Sequence, residues 1–209
     1  GLSRFKATAT GIHGSWGYAL AASHTRLDGF REHNFVENRN LNFKLTHDSG
    51  GNAKYQWVLR AIDSPTADDP GALRAELARA DPTAARAANL LYDAGESVTE
   101  FTLGHTAEWT LPALEVQARL FGTQRDFQNR LPFRGGGAVA IDRWFVGGGL
   151  QAQSVKLEAF PSLTVLGGID WEWQRDDRTR RNNNEGVVGE VTLRQEETVK
   201  AAGYFLNLS

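Results

Sequence analysis

Arginine and aromatic side chains are the residues of this sequence best suited to chemistry. Arg60 and Arg125 fall on the polar register of their segments, and Phe127 continues the parity of Arg125. Arg31, Phe35, Arg130 and Phe133 lie in the connections beside them. Guanidinium groups donate charge-assisted hydrogen bonds and aromatic rings stack, so the set suits an anionic, aromatic chelate. The same residue types also serve as solvated loop charge and as salt bridges along a polar wall.

Other chemistries find little footing. The five histidines, His13, His24, His33, His47 and His105, show neither HExxH nor any other metal-ligand spacing, and are expected in turns, loops or interfaces. Gly135–Gly137 and Gly147–Gly149 lack the strand-to-helix context and the Lys of a phosphate loop. Glycine inside a strand marks a bulge or a close backbone approach. "DDRTRRNNNE" lacks the carboxylate spacing of an EF-hand. Glu196 and Glu197 are adjacent, so on a strand they face opposite ways, which is unsuited to shared acid–base work. No Ser-His-Asp arrangement follows from residue order. Cysteine is absent, which removes disulfides, thiolate nucleophiles and Cys-ligated zinc. No enzyme, cofactor or metal site is expected. A net charge of -2 and a pI near 6.2 supply no basic field, so nucleic acid is not an expected partner.

The elements that must position these residues read as strands. In "ALEVQARLFGTQRD" (113–126), Leu114, Val116, Ala118 and Leu120 fall on one side, and Glu115, Gln117, Arg119 and Thr123 on the other. Tyr55, Trp57, Leu59 and Ala61 alternate with Gln56, Val58 and Arg60 in the same way. Such period-two alternation predicts strands over 4–12, 15–27, 38–48, 53–63, 97–110, 113–126, 138–156, 163–175 and 195–208. A mean hydropathy of -0.42 and the lack of any run of eighteen apolar residues exclude a membrane helix. They do not exclude a membrane barrel, whose pore-facing polar residues dilute every spanning strand. The start, "GLSRFKATAT", has no signal-peptide core and reads as internal to something longer.

The connections alternate in length. "HGS", "DSGGN", "LP" and "LEAFPS" are short; "DGFREHNFVEN", Ser64 to Glu96, "FQNRLPFRGGG" and "DDRTRRNNNEGVVGEVTLR" are long. In an up-and-down meander this puts tight turns at one rim and large loops at the other, the asymmetry of outer-membrane barrels. Trp16, Tyr18, Tyr55, Trp57 and Trp109 gather on the apolar register near the tight-turn rim, as rings do at a membrane interface. Trp171 and Trp173 are candidates for the opposite girdle. In the longest connection, Asp69–Pro70 and Asp81–Pro82 each offer an N-cap followed by a first-turn proline, predicting two short helices on the outer mouth.

The run "GSWGYALAASHTRLDGFREHNFVENRNLNFKLTHDSG", the loop "DDPGAL…ADPTAARAANLLYDAGES", "QARLFGTQRDFQNRLPF" with "AIDRWFVGGGLQAQ", and the tail "ETVKAAGYFLNLS" resemble TonB-dependent outer-membrane receptors. The resemblance implies a partial transmembrane β-barrel domain over 1–209, cut from a plugged barrel of about 22 strands. An N-terminal plug and a TonB box belong upstream of such a segment, and about nine strands is an odd number where bacterial single-chain barrels are even. The implied localisation is the cell outer membrane. The implied partners are outer-membrane lipid, a ferric siderophore or similar scarce ligand, and the TonB complex, the last reached through the missing N-terminal part. Two other readings stand beside it: a soluble all-β carbohydrate- or ligand-binding module, and an outer-membrane barrel enzyme.

Overall fold

Each stretch of period-two alternation pairs with the next in sequence. The computed structural model describes residues 1–154 and 163–209. The strands are β1 (Leu2–His13), β2 (Trp16–Asp28), β3 (Phe35–Asp48), β4 (Ala53–Asp68), β5 (Gly95–Thr110), β6 (Leu114–Arg130), β7 (Ala138–Ser154), β8 (Val165–Asn184) and β9 (Val187–Leu208). Two short helices, α1 (Ala75–Ala80) and α2 (Ala87–Leu91), stand between β4 and β5. All nine strands form one antiparallel sheet in sequence order, so every connection is an up-and-down one.

Residues directly opposite one another share a face, which turns the alternation of single strands into continuous rows. Tyr18, Leu45, Trp57, His105, Leu120, Gly148 and Trp171 make one row from β2 to β8. The next row, on the other face, is Thr46, Gln56, Thr106, Arg119, Gly149 and Asp170. One face is therefore apolar and the other polar through the middle of the sheet. The apolar face has no covering layer among the described residues: Leu103, Leu120, Trp144, Leu150 and Ile169 are all exposed, and the buried apolar residues are small ones such as Ala94 and Ala107.

Glycines in β7 admit large neighbours. A Cβ at Gly147 would lie 2.6 Å from Cζ of Phe121, whose ring also meets Phe145 at 5.4 Å. Gly149 leaves room for Arg119, on β6, to donate from Nη2 to Asp170 Oδ1, on β8, at 2.6 Å across the intervening strand. The glycine run expected to mark a close approach does so, and it ties the register of three strands together.

The sheet departs from the sequence reading at its loop-bearing rim. "DDRTRRNNNEGVVGEVTLR" is predominantly strand: β8 and β9 run on to a tight turn at Glu185 and Gly186, with φ of 52° and 89°. Apolar alternation stops there, but the backbone ladder continues, braced by Arg175 to Glu196 at 2.9 Å and Arg178 to Glu197 at 3.7 Å. Because β8 continues to Asn184, Trp171 and Trp173 lie nearer the middle of their strand than its loop-side end. Trp144 and Phe101 stand one row closer to that end, in line with Ala22 and Ala61. The remaining loop-rim connections are 29–34, 69–94 and 131–137, against 14–15, 49–52 and 111–113 at the other rim. The short connection "LEAFPS" and the last two residues of the strand expected over 138–156 lie outside the described residues.

Gly147→Ala places its Cβ against Phe121 and 3.0 Å from the Trp171 carbonyl, so it is expected to cost about 1–3 kcal/mol. Gly203→Ala, with nothing within 4 Å of its Cβ, is expected to change stability by under about 1 kcal/mol. Denaturant midpoints of the two variants should separate accordingly.

Candidate site at the loop-bearing rim

The two Asp-Pro pairs do not start helices. Asp69 accepts the Gly71 N–H at 2.8 Å, and Gly71 has φ of 69°, which no helix accommodates. Asp81 follows α1 as its C-cap, donating its own N–H to Leu77 O. Its carboxylate takes the Thr83 hydroxyl at 2.6 Å and the Thr83 N–H at 2.9 Å. These bonds, the hydroxyl's foremost, hold the Asp81 carboxyl below its ordinary range. Asparagine- and aspartate-type turns compete with helix N-capping for the same side chain, and here the turns win. The helices begin later, after Arg74 and Arg86, neither of which caps through its side chain.

The 69–94 connection is fixed at both flanks. Arg31 donates from Nε and Nη2 to Ala84 O at 3.1 and 3.0 Å, and from Nη2 to Pro70 O at 3.2 Å. Glu32 N–H reaches Thr83 O at 2.8 Å, and the His33 ring bonds Ala94 O at 2.6 Å. On the other flank Arg130 donates to Asp93 O at 2.9 Å and pairs with its carboxylate at 2.7 Å. Asn183, 0% exposed, donates to Tyr92 O at 2.8 Å and Leu131 O at 3.1 Å while accepting Gly186 N–H. Inside the loop, Asn89 donates to the Asp69 carbonyl and carboxylate, both at 3.0 Å. A connection of this length is held as a platform by buried amides and two guanidinium groups.

The seven arginine and phenylalanine candidates separate into groups. Arg60, Arg125 and Phe127 share the polar face, with the Arg125 guanidinium 5.3 Å from the Phe127 ring centroid. Arg60 stands 3.8 Å from Glu100. Arg125 lies directly between Glu100 and Arg143, and its buried Nε has no hydrogen-bond partner among the described residues. Arg143 is already engaged by Asp176, at 2.8 and 2.5 Å. Arg31 and Arg130 are the loop braces just described. Phe35 opens β3 opposite Asp28, and Arg130 falls on the apolar-face register, so neither joins Arg125. Phe133 is exposed in 131–137.

Sequence reasoning missed Arg143 and Arg178 on the polar face. Alternation through "AIDRWF" was the available signal for the first, and ending β8 at 175 hid the second. Toward the loop rim, Arg4, Lys6, Arg60, Arg125, Arg143, Arg178 and Arg180 on that face outnumber Glu96, Glu100, Asp176 and Glu197. The adjoining row on the apolar face is the reverse: Asp126, Asp142, Asp177 and Glu196 stand directly opposite one another. Positive charge is thus in surplus on the polar face of the rim, while one row of the other face is acidic from β6 to β9.

At the tight-turn rim Trp16, Tyr55, Trp57 and Trp109 of the expected aromatic group form one continuous stack with two histidines, while the Tyr18 ring lies over Gly11. Trp16 stacks on His47 at 4.3 Å, Trp57 on His105 at 5.0 Å, and Tyr55 meets Trp109 edge-on at 6.4 Å. Among the described residues no group of His, Asp or Glu is arranged to hold a metal ion.

No family model and no curated protein matches the chain. Among solved structures it is similar to the ferric citrate transporter FecA in its unliganded form, with a TM-score of 0.74 at 15% sequence identity. The likeness covers 98% of this chain and 31% of that one, so the chain spans about a third of that structure's length. It shows the fold: a nine-stranded, antiparallel, up-and-down length of barrel wall with a short helical excursion in one long connection.

Asn183→Ala leaves the Tyr92 and Leu131 carbonyls without their donor and Arg31→Ala frees the opposite flank. Each is expected to speed protease cleavage within 69–94 by about tenfold, corresponding to about 1.4 kcal/mol of lost local stability. Limited proteolysis with mass-spectrometric mapping measures this, with cleavage in 49–52 as the internal reference. Because Asp81 is held below its ordinary value, its contribution is complete above an unfolded pKa of 3.8 and disappears as pH falls through the lower folded value. Asp81→Asn should therefore flatten the acid end of the cleavage–pH profile.

Proposed function

We propose that this chain is part of the wall and outer binding surface of an outer-membrane uptake barrel, a TonB-dependent receptor of the siderophore-receptor type. The observation that carries the reading is the single sheet with one exposed, unlayered apolar face and one polar face. A soluble sandwich would bury the apolar face under a second layer. Hydrocarbon covers it without one, provided every strand is paired, and a closed barrel meets that condition. Strands completing the ring would flank β1 and β9, each of which pairs on one side only.

In this reading the polar face lines the passage and the loop-bearing rim is the outer mouth. Arg60, Arg125 and Phe127 face the pore just below the platform, where surplus positive charge attracts an anionic chelate. Arg31 and Arg130 act by fixing the platform, while Phe35 and Phe133 border it. The ligand class is a ferric siderophore or similar scarce anionic complex; the structural neighbour is named for ferric citrate. Capture requires no bond-making step, and release into the passage would follow rearrangement of a plug driven through the TonB complex.

Refolding tests the membrane part. The chain is expected to give a monodisperse, β-rich species in detergent micelles and to aggregate in plain buffer; a monodisperse β-rich species without detergent contradicts the proposal. For the ligand, tryptophan quenching by ferric citrate in micelles is expected to weaken about tenfold in Arg125→Ala, the effect of one charge-assisted hydrogen bond. Unchanged quenching in a combined Arg60→Ala, Arg125→Ala, Phe127→Ala variant would remove these residues from the binding surface.

A further inference from the structure

A groove of about 840 Å³ opens on the apolar face across β1 to β4. Ala7, Ala22, Leu41 and Ala61 lie side by side in one row and form its floor. Along the same row Phe101 on β5 and Trp144 on β7 project, 46% and 51% exposed. One half of the row is hollow and the other half stands out.

The next row toward the loops divides at the same strands by charge. It runs from His24 and Arg39, on β2 and β3, to Asp126 and Asp142, on β6 and β7. Asp63, between the two groups, already accepts from Arg39 at 2.9 Å. Further along, Arg175 pairs with Asp177 at 3.7 Å and with Glu196 at 2.9 Å. Asp126 and Asp142, by contrast, stand directly opposite each other with no ion pair or hydrogen bond among the described residues. Like charges directly opposite on a sheet are destabilising. No metal-holding group is available there to neutralise them. Arg39 is 53% exposed, and its Nη1 and Nη2 serve Asp63 and Glu37 while its Nε has no acceptor among the described residues.

We propose, on the reading that the apolar face meets hydrocarbon, that this face is also the interface between two copies of the chain standing side by side in the membrane. Both copies keep their long loops on the same side, so their two-fold axis lies along the membrane normal. Placed between β4 and β5, that axis sets the hollow, basic half of each copy against the projecting, acidic half of the other. Phe101 then enters the groove beside the partner's Ala61, and Arg39 faces the partner's Asp126. The two-fold repeats both contacts, as a self-complementary interface requires. A barrel wall is convex, so the contact is narrow and these pairs, nearest the axis, carry it. Hydrocarbon alone covers the apolar row but supplies no counter-charge to the carboxylates above it.

Disulfide cross-linking of the whole chain in zwitterionic bilayers, at high dilution in lipid, tests the interface, because the sequence contains no cysteine. Thr99→Cys, in the row of Arg39 and Asp126 and beside the proposed axis, should cross-link one copy to the other. Tyr204→Cys, on the same face of β9 beside its free edge, should not. Asp126→Arg should reduce the Thr99→Cys product about tenfold by setting like charges against each other, whereas Asp126→Glu should leave it unchanged. Ala61→Phe fills the groove without touching a charge and should abolish the product at unchanged circular dichroism. Cross-linking through Tyr204→Cys as strong as through Thr99→Cys means association by sheet edges and overturns the proposal. Wild-type cross-linking in Asp126→Arg or in Ala61→Phe overturns it as well. So does loss of the product on adding EDTA, which makes the carboxylates a bridge for divalent cations. Each of these results leaves the barrel reading intact. A chain that does not enter bilayers removes that reading, and the interface with it.

Discussion

Every strand in this sheet depends on the two-residue pleat being kept in phase with its neighbours. A slip of one residue anywhere would exchange an apolar face for a polar one across that strand, placing Leu120 where Arg119 stands. The devices that prevent this are local. Phe121 occupies the space over Gly147, and Arg119 reaches Asp170 over Gly149, so a one-residue slip would bring Val146 or Leu150 into one of the two gaps. The ring stack from Trp16 to Trp109 does the same work at the tight-turn rim, because Trp16 meets His47, His47 meets Tyr55, and Tyr55 and Trp57 meet His105 across neighbouring strands.

That constraint relaxes toward the loop-bearing rim. Above the apolar band, β8 and β9 pair on through Arg175, Arg178, Glu196 and Glu197, with polar side chains on both faces. Freed from the need to bury or expose a particular face, this part of the wall can carry charge in any pattern. The polar side is arginine-rich, and the other side carries an acidic row, Asp126, Asp142, Asp177 and Glu196, beside Arg175 and Arg194. Buried amides then replace apolar packing as the means of order. Asn183 and Asn89 hold the helical connection through hydrogen bonds that a core of leucines would not supply.

Much of the fold was legible in the sequence because alternation is written residue by residue. Tyr55, Trp57, Leu59 and Ala61 keep one face, and their row partners follow from antiparallel pairing of successive segments. Where alternation is apolar against polar, the reading placed the strands. Where it becomes charged on both faces, as from Asp176 to Arg194, nothing in residue type separates a strand from a solvated loop, and the β8–β9 extension was read as loop. The helix starts failed for a different reason: Asp69 and Asp81 can cap a helix or close a turn, and Gly71 and Thr83 decide for the turn. Among the candidate residues, parity was sufficient to unite Arg60, Arg125 and Phe127. It could not show that Arg31 and Arg130 are used on carbonyls of a loop more than thirty residues away, since such contacts depend on tertiary position.

The central claim, that the apolar rows touch hydrocarbon while the polar rows face water, is open to direct measurement because the sequence contains no cysteine. Single cysteines at successive positions from Leu114 to Gln124 can be spin-labelled in the refolded chain in lipid bilayers. Collision with oxygen and with a water-soluble nickel reagent can then be compared at each site. Even-numbered positions such as Val116, Ala118 and Leu120 should favour oxygen, and odd-numbered ones such as Gln117, Arg119 and Thr123 the nickel reagent. Equal access of the nickel reagent to both sets would contradict the account.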